Sequence, residues 1–206
     1  MELSRLGADL IGPLESVILD VLSRSSGLSS GRQIERVGEI TSHAGAQRAL
    51  QRLEDIGLVV AVISPSAYAY SVNREHVFWP AIEVILGATR RIESEIVRVV
   101  REKAGDETSV AVFGSYARGE AIVTSDIDLL VVFPDDLDVD AYEATIGELH
   151  DVIEPLTGNL VQVFDVSRST LLAMTSAGDS LVASLRRDAR LLTGPSIRPL
   201  LREAAA

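Results

Sequence analysis

Apolar positions recur at helical spacing three times near the start of the chain, then run at strand spacing, then return to helical spacing. From Pro13 to Ser23, the residues Leu14, Val17, Ile18, Val21 and Leu22 share one side of a predicted helix, which Ser25-Ser26-Gly27 ends. Ser29 or Ser30 caps a short second helix carrying Ile34 and Val37, broken at Gly38. Thr41 or Ser42 caps a third helix to about Asp55, with Ala46, Ala49, Leu50 and Leu53 inward and Gly57 at its C-terminal end. Leu58 to Ile63 and Tyr68 to Val72 read as two strands, with Ser64-Pro65-Ser66-Ala67 as a hairpin loop.

Phe78 to about Arg101 then predicts one long amphipathic helix with Pro80 in its first turn and Gly105 beyond its end. At about 1.5 Å per residue it is long enough to brace the region after it or to pair with a second copy as a homodimer. Phe78 and Trp79 are expected as packing anchors at its start. Two buried strands follow, Val110 to Phe113 and Ile127 to Phe133, then a helix through Tyr142, Ile146, Leu149 and Ile153. Leu160 to Val166 is a third strand, Ser169 to Ala177 and Asp179 to Asp188 are helices separated by Gly178, and Arg190 to Leu192 is an edge strand. The order predicts an α+β protein divided into residues 1–76, a connecting helix at 77–104 and a second domain at 105–206.

The chemistry lies between the two buried strands. Gly114-Ser115 closes the first, and ten residues later Asp126-Ile127-Asp128 opens the second. Side chains two apart on a strand point the same way, so both carboxylates face one spot, as a hard divalent cation requires. Gly114 lets the backbone approach a polyanion, and Ser115 offers a hydroxyl and an amide to phosphate oxygens. Gly-Ser turns and solvated Asp-x-Asp strand starts are common by themselves; their placement at the ends of two buried strands favours the site.

On these residues, 105 to about 193 resembles the minimal nucleotidyltransferase family of the polymerase-beta-like superfamily, a small mixed sheet flanked by helices. Arg118-Gly119 after the Gly-Ser is also typical of that family, and Asp165 stands where a third carboxylate is expected. The resemblance implies two Mg2+ ions, with ATP or another nucleoside triphosphate as donor. Asp126 and Asp128 would bridge both ions and Asp165 would complete the nucleophile-side one. Gly114, Ser115 and Arg118 would hold the triphosphate. The implied acceptors are a protein Tyr or Ser, an RNA end or a small molecule.

Residues from Pro13 to Asn73 resemble the winged helix-turn-helix family in pattern. In that family the third helix reads the major groove, which brings Ser42, His43, Gln47, Arg48, Gln51 and Arg52 forward as DNA-binding candidates. The opposing reading is a module for protein contacts. A regulatory or toxin-antitoxin setting joins the two resemblances; the alternative is a transcriptional regulator whose second domain only senses nucleotide.

Composition narrows these readings. The 206 residues carry a net charge of -11, of which -2 falls on residues 1–76 and -9 on residues 77–206, so a long polyanion is a poor partner for the second part. The chain has no cysteine, which removes disulfides and thiolate metal sites. His43, His76 and His150 share no ligand spacing, and no Gly-x-x-x-x-Gly-Lys occurs, which excludes a P-loop. No apolar run reaches membrane-spanning length and Met1 to Ser4 does not open a signal peptide, so a cytoplasmic location without membrane partners is expected.

Overall fold

The computed structural model describes residues 7–63 and 68–202, which form two compact units that meet in sequence between Ala88 and Thr89. The expected hairpin loop at 64–67 lies outside the described residues.

The first unit runs α1 (Ala8–Ile11), α2 (Pro13–Arg24), β1 (Ser29–Ser30), α3 (Gly31–Val37), α4 (His43–Asp55), β2 (Val59–Ile63), β3 (Tyr68–Val72) and α5 (Trp79–Leu86). Pro13 begins α2, where its missing N–H costs nothing. Ser30 and Ser42 accept from the amides of Gln33 and Gly45, capping α3 and α4. Gly57 takes a positive φ of 78°, and the Leu58 amide returns to the Leu53 carbonyl at 3.0 Å, so α4 stops in a left-handed turn and feeds β2. The strands form an antiparallel sheet in the order β1-β3-β2. Its core joins Ile18, Leu19 and Leu22 to Ile34, Leu50, Leu53, Val59 and Trp79. Burying each large aliphatic side chain contributes about 1.5–3 kcal/mol.

The single long helix expected from Phe78 to Arg101 is two helices. Gly87 caps α5, its amide bonding to the Glu83 carbonyl at 2.9 Å, and α6 (Ala88–Ala104) begins after it. Glycine inside a helix costs about 1 kcal/mol relative to alanine, which favours a break there. α6 belongs to the second unit. Trp79 is buried as expected, whereas Phe78 is 63% exposed and meets the His76 ring at 5.6 Å.

The second unit continues with β4 (Ser109–Phe113), α7 (Gly114–Arg118), β5 (Ile127–Phe133), α8 (Val139–Thr157), β6 (Val161–Ser167), α9 (Arg168–Ser176), α10 (Ser180–Asp188) and β7 (Arg190–Thr193). Its sheet has the order β6-β5-β4-β7; β5 and β6 are parallel, joined by α8, and the other pairs are antiparallel. Ala111, Leu130 and Val132 pack with Leu171 of α9, Val182 and Leu185 of α10, and Ile197 and Leu201 of the C-terminal segment. Residues of opposite parity on β5, Leu129, Val131 and Phe133, are buried on the other face, where Phe133 meets Tyr142 of α8 edge-on at 5.2 Å. No helix among the described residues is long and apolar enough to cross a membrane.

Candidate active site

Antiparallel pairing sets Phe113 opposite Asp128, so the chain leaving β4 turns directly over the first residues of β5. The turn is made at Gly114, with φ 66°, and a Cβ there would fall on Asp128 Oδ2. Only glycine meets both demands, the left-handed backbone and the close approach to a carboxylate. Burial pushes the Asp128 carboxyl above its ordinary range; neighbouring Asp126 and Asp188 push the same way, and Arg118 opposes them. The two acids of the motif therefore lie together with like charge that is incompletely balanced.

The loop before β5 is fixed by a residue from another element. Buried Asn159 donates through Nδ2 to the carbonyls of Val123 at 3.1 Å and Ser125 at 2.9 Å, and the Ile127 amide bonds to the Leu160 carbonyl at 2.9 Å. At the other end, Gly119 adopts φ 70° and the Glu120 amide closes onto the Ser115 carbonyl at 2.9 Å. Ser115 Oγ has no hydrogen-bond partner among the described residues.

Asp165, expected as a third ligand, does not lie on the same face of the sheet as Asp128. It pairs in register with Val131, three residues along β5 from Asp128, and an odd separation puts it on the opposite face of the sheet. There its Oδ2 accepts from the Tyr142 hydroxyl of α8 at 2.5 Å. The β6 residue in register with Asp128 is Gln162, whose Nε2 donates to Asp126 Oδ2 at 2.6 Å.

Arg118 lies near the pair but is engaged by carboxylates, with Nε on Glu120 at 2.7 Å and Nη1 on Asp188 at 2.5 Å. Neither acid carried a role in the sequence reading. Asp188 stands between Arg187 and Arg190 at the end of an amphipathic helix, the one acid in a basic stretch. Gln162 had no signal, because strand register is absent from local sequence.

Of the three acids expected at the site, the structure brings Asp126 and Asp128 together, a pair that fits a divalent cation. Among the described residues no group of three or more His, Cys, Asp or Glu side chains is placed to hold a metal. Asp128, crowded against Gly114 and repelled by the neighbouring Asp126 carboxylate, forms with it a pair that suits Mg2+, which binds through one or two carboxylates with the remaining positions filled by water and substrate phosphates.

The DNA-binding candidates separate similarly. Ser42 Oγ is used in capping α4, Gln51 bonds to Asp55 at 2.9 Å, and Arg52 pairs with the Glu15 carboxylate at 3.0 Å. His43 meets Glu35 at 2.7 Å, and Gln47 lines a polar cavity of about 480 Å³ with Arg32 and Tyr70. Arg48 is exposed and has no hydrogen-bond or ion-pair partner among the described residues.

Residues 93–171, which hold most of α6, the motif and β6, match the family model described as the nucleotidyltransferase domain. This segment is similar to a nucleotidyltransferase domain. The match opens inside α6, in keeping with the membership of that helix in the second unit. Two solved structures are similar to half of the chain. One, a toxin-antitoxin with AMP-PNP, is 25% identical, covers 50% of this chain and 74% of its own, and has a TM-score of 0.37. The other, a mutant of the toxin-antitoxin MntA-HpeT, is 22% identical with the same coverages and a TM-score of 0.36. No curated protein matches the chain. The nucleotidyltransferase domain makes the protein a transferase.

Proposed function

We propose that the chain moves a nucleoside monophosphate, most simply AMP from ATP, onto a hydroxyl of a protein or RNA acceptor, with Asp126 and Asp128 holding Mg2+. The observation that carries this is the Asp128 carboxylate pressed against Gly114, with Asp126 beside it, inside the segment that matches the nucleotidyltransferase domain. The acceptor oxygen forms a bond to the α-phosphorus, the bond from that phosphorus to the β-phosphate bridge breaks, pyrophosphate leaves with the electron pair, and the hydroxyl proton passes to solvent. Positioning and charge neutralisation dominate such a transfer. When bound, the cation supplies Lewis acidity to the phosphate oxygens. Asp126 and Asp128 fix its place, Gly114 admits the triphosphate to the turn, Ser115 offers a free hydroxyl, and Arg118 adds cationic donors. The charge of -9 over residues 77–206 favours a protein hydroxyl over a long RNA.

In this proposal the first unit is a winged helix, supported by the order α2-β1-α3-α4-β2-β3 and by the antiparallel sheet behind α4. DNA binding through α4 would suit a protein that regulates its own operon, as in a toxin-antitoxin pair. A second reading, a regulator whose nucleotidyltransferase domain only senses nucleotide, draws support from Gln162, a neutral side chain in register with Asp128. Incubation with labelled ATP, GTP, CTP or UTP, Mg2+ and cell lysate separates the two. Pyrophosphate release with label on protein or RNA supports transfer; nucleotide binding and DNA retention without turnover selects the sensor.

A further inference from the structure

Asp188 occupies a position where three costs meet. It is the last residue of α10, where the helix dipole disfavours a negative charge. Its side chain is 4% exposed, so a carboxylate is held out of water. It also lies close enough to Asp128 for their charges to oppose each other. Among the described residues only Oδ2 is used, by Arg118 at 2.5 Å and more distantly by Arg187 at 3.4 Å, and Oδ1 is buried without a hydrogen-bond partner there. A buried polar atom left unpaired costs about 1–3 kcal/mol. An apolar residue here would relieve all three costs, so the carboxylate is understandable through what it does to Arg118.

Arg118 supplies the other half. Glu120 holds Nε and Asp188 holds Nη1, two points that fix the plane of the guanidinium, while Nη2 has no acceptor among the described residues. We propose that Asp188 is a positioning residue of the nucleotide site: with Glu120 it aims the free donors of Arg118 at the triphosphate oxygens of a bound nucleotide. The inference rests on the nucleotidyl-transfer reading and adds to it a residue sixty positions beyond the motif, supplied by a different helix.

The test is equilibrium binding of full-length protein to a non-hydrolysable ATP analogue with Mg2+, and to AMP as the ligand without β- and γ-phosphates. Asp188→Asn is expected to weaken triphosphate binding about tenfold or more, the worth of one charged hydrogen bond, and to leave AMP binding unchanged. Arg118→Ala should lose the same, and the double variant no more than either, since the two act through one contact. A purely structural Asp188 would instead affect both ligands alike or add its loss to that of Arg118, and either result overturns the inference, as does wild-type affinity in Asp188→Asn. If Asp188→Asn does not fold, Arg118→Lys decides, because it keeps an ion pair to Asp188 and removes the free Nη2. Selective loss of triphosphate affinity then supports the inference and full affinity overturns it. Wild-type protein that binds no triphosphate removes the transfer reading and this inference together, which distinguishes that failure from one confined to Asp188.

Discussion

Gly114 and Asp128 constrain one another, since the space that a side chain at 114 would need is taken by the Asp128 carboxylate. Gly114→Ala meets two penalties: a left-handed φ, worth about 1–2 kcal/mol for a residue with a Cβ, and displacement of a candidate cation ligand. It is expected to lower stability by about that amount in a denaturant melt and to remove most pyrophosphate release. Full activity in a folded Gly114→Ala protein would mean that Asp128 need not sit where it does. Asp126→Asn with Asp128→Asn should lower transfer at least about a thousandfold, because the charge stabilisation lost is several kcal/mol. The same double variant should melt no lower than wild type, since it removes two like charges that face each other. A melting loss equal to the activity loss would recast the pair as structural. At this scale the placement was legible wherever it was local: the closeness of Gly114, Asp126 and Asp128 follows from their spacing and alternation. Asp188 was not legible, because its meaning comes from Arg118, far away in sequence.

Elements decide which side chains meet, and β6 shows how little of that is written locally. Val161 to Ser167 is recognisable as a strand from its apolar run, yet either Gln162 or Asp165 can face the site depending on register alone. The observed register turns Gln162 toward Asp126 and sends Asp165 to α8, where the Tyr142 hydroxyl donates to it. That hydrogen bond raises the Tyr142 pKa, with burial adding to the effect. A tyrosine with a raised folded-state pKa contributes stability that is fully present below the unfolded value near 10.0 and is lost as pH rises through the higher folded value. Tyr142→Phe should therefore cost about 1 kcal/mol at neutral pH, with the difference from wild type closing only on the alkaline side. Paired urea melts at pH 7 and above pH 10 measure it; a difference that stays constant would place the contribution in ring packing against Phe133. Helix boundaries were more legible than register, because caps are local: Ser30, Ser42 and Gly57 end or begin elements where their chemistry predicts. Gly87 marks the break between α5 and α6, and the continuous apolar stripe on both sides hides it in the sequence.

For the molecule as a whole, the boundary between Ala88 and Thr89 leaves each unit with its own core and its own charge balance, and the nucleotidyltransferase match lies wholly in the second. On the winged-helix proposal DNA binding falls to the first unit, whose charges nearly balance. The pairing of Arg52 with Glu15, the capping role of Ser42 and the bond from Gln51 to Asp55 leave Arg48 as the cation on α4 with nothing to give up on meeting a phosphate or base. Arg48→Ala should weaken binding to the DNA upstream of the protein's own gene by about 1–3 kcal/mol if the contact is to a base, or lower the salt slope by about one unit if it is to a phosphate. Arg52→Ala should do less to DNA, because its guanidinium must first leave a carboxylate. Filter binding across a salt series separates these outcomes. With so few free cations the slope itself should be shallow, on the order of a few units rather than the ten seen for heavily basic readers. A DNA affinity indifferent to Arg48, or no retention at low salt, would assign the α4 face to a protein partner and leave the second unit as the sole site of nucleic-acid or nucleotide chemistry.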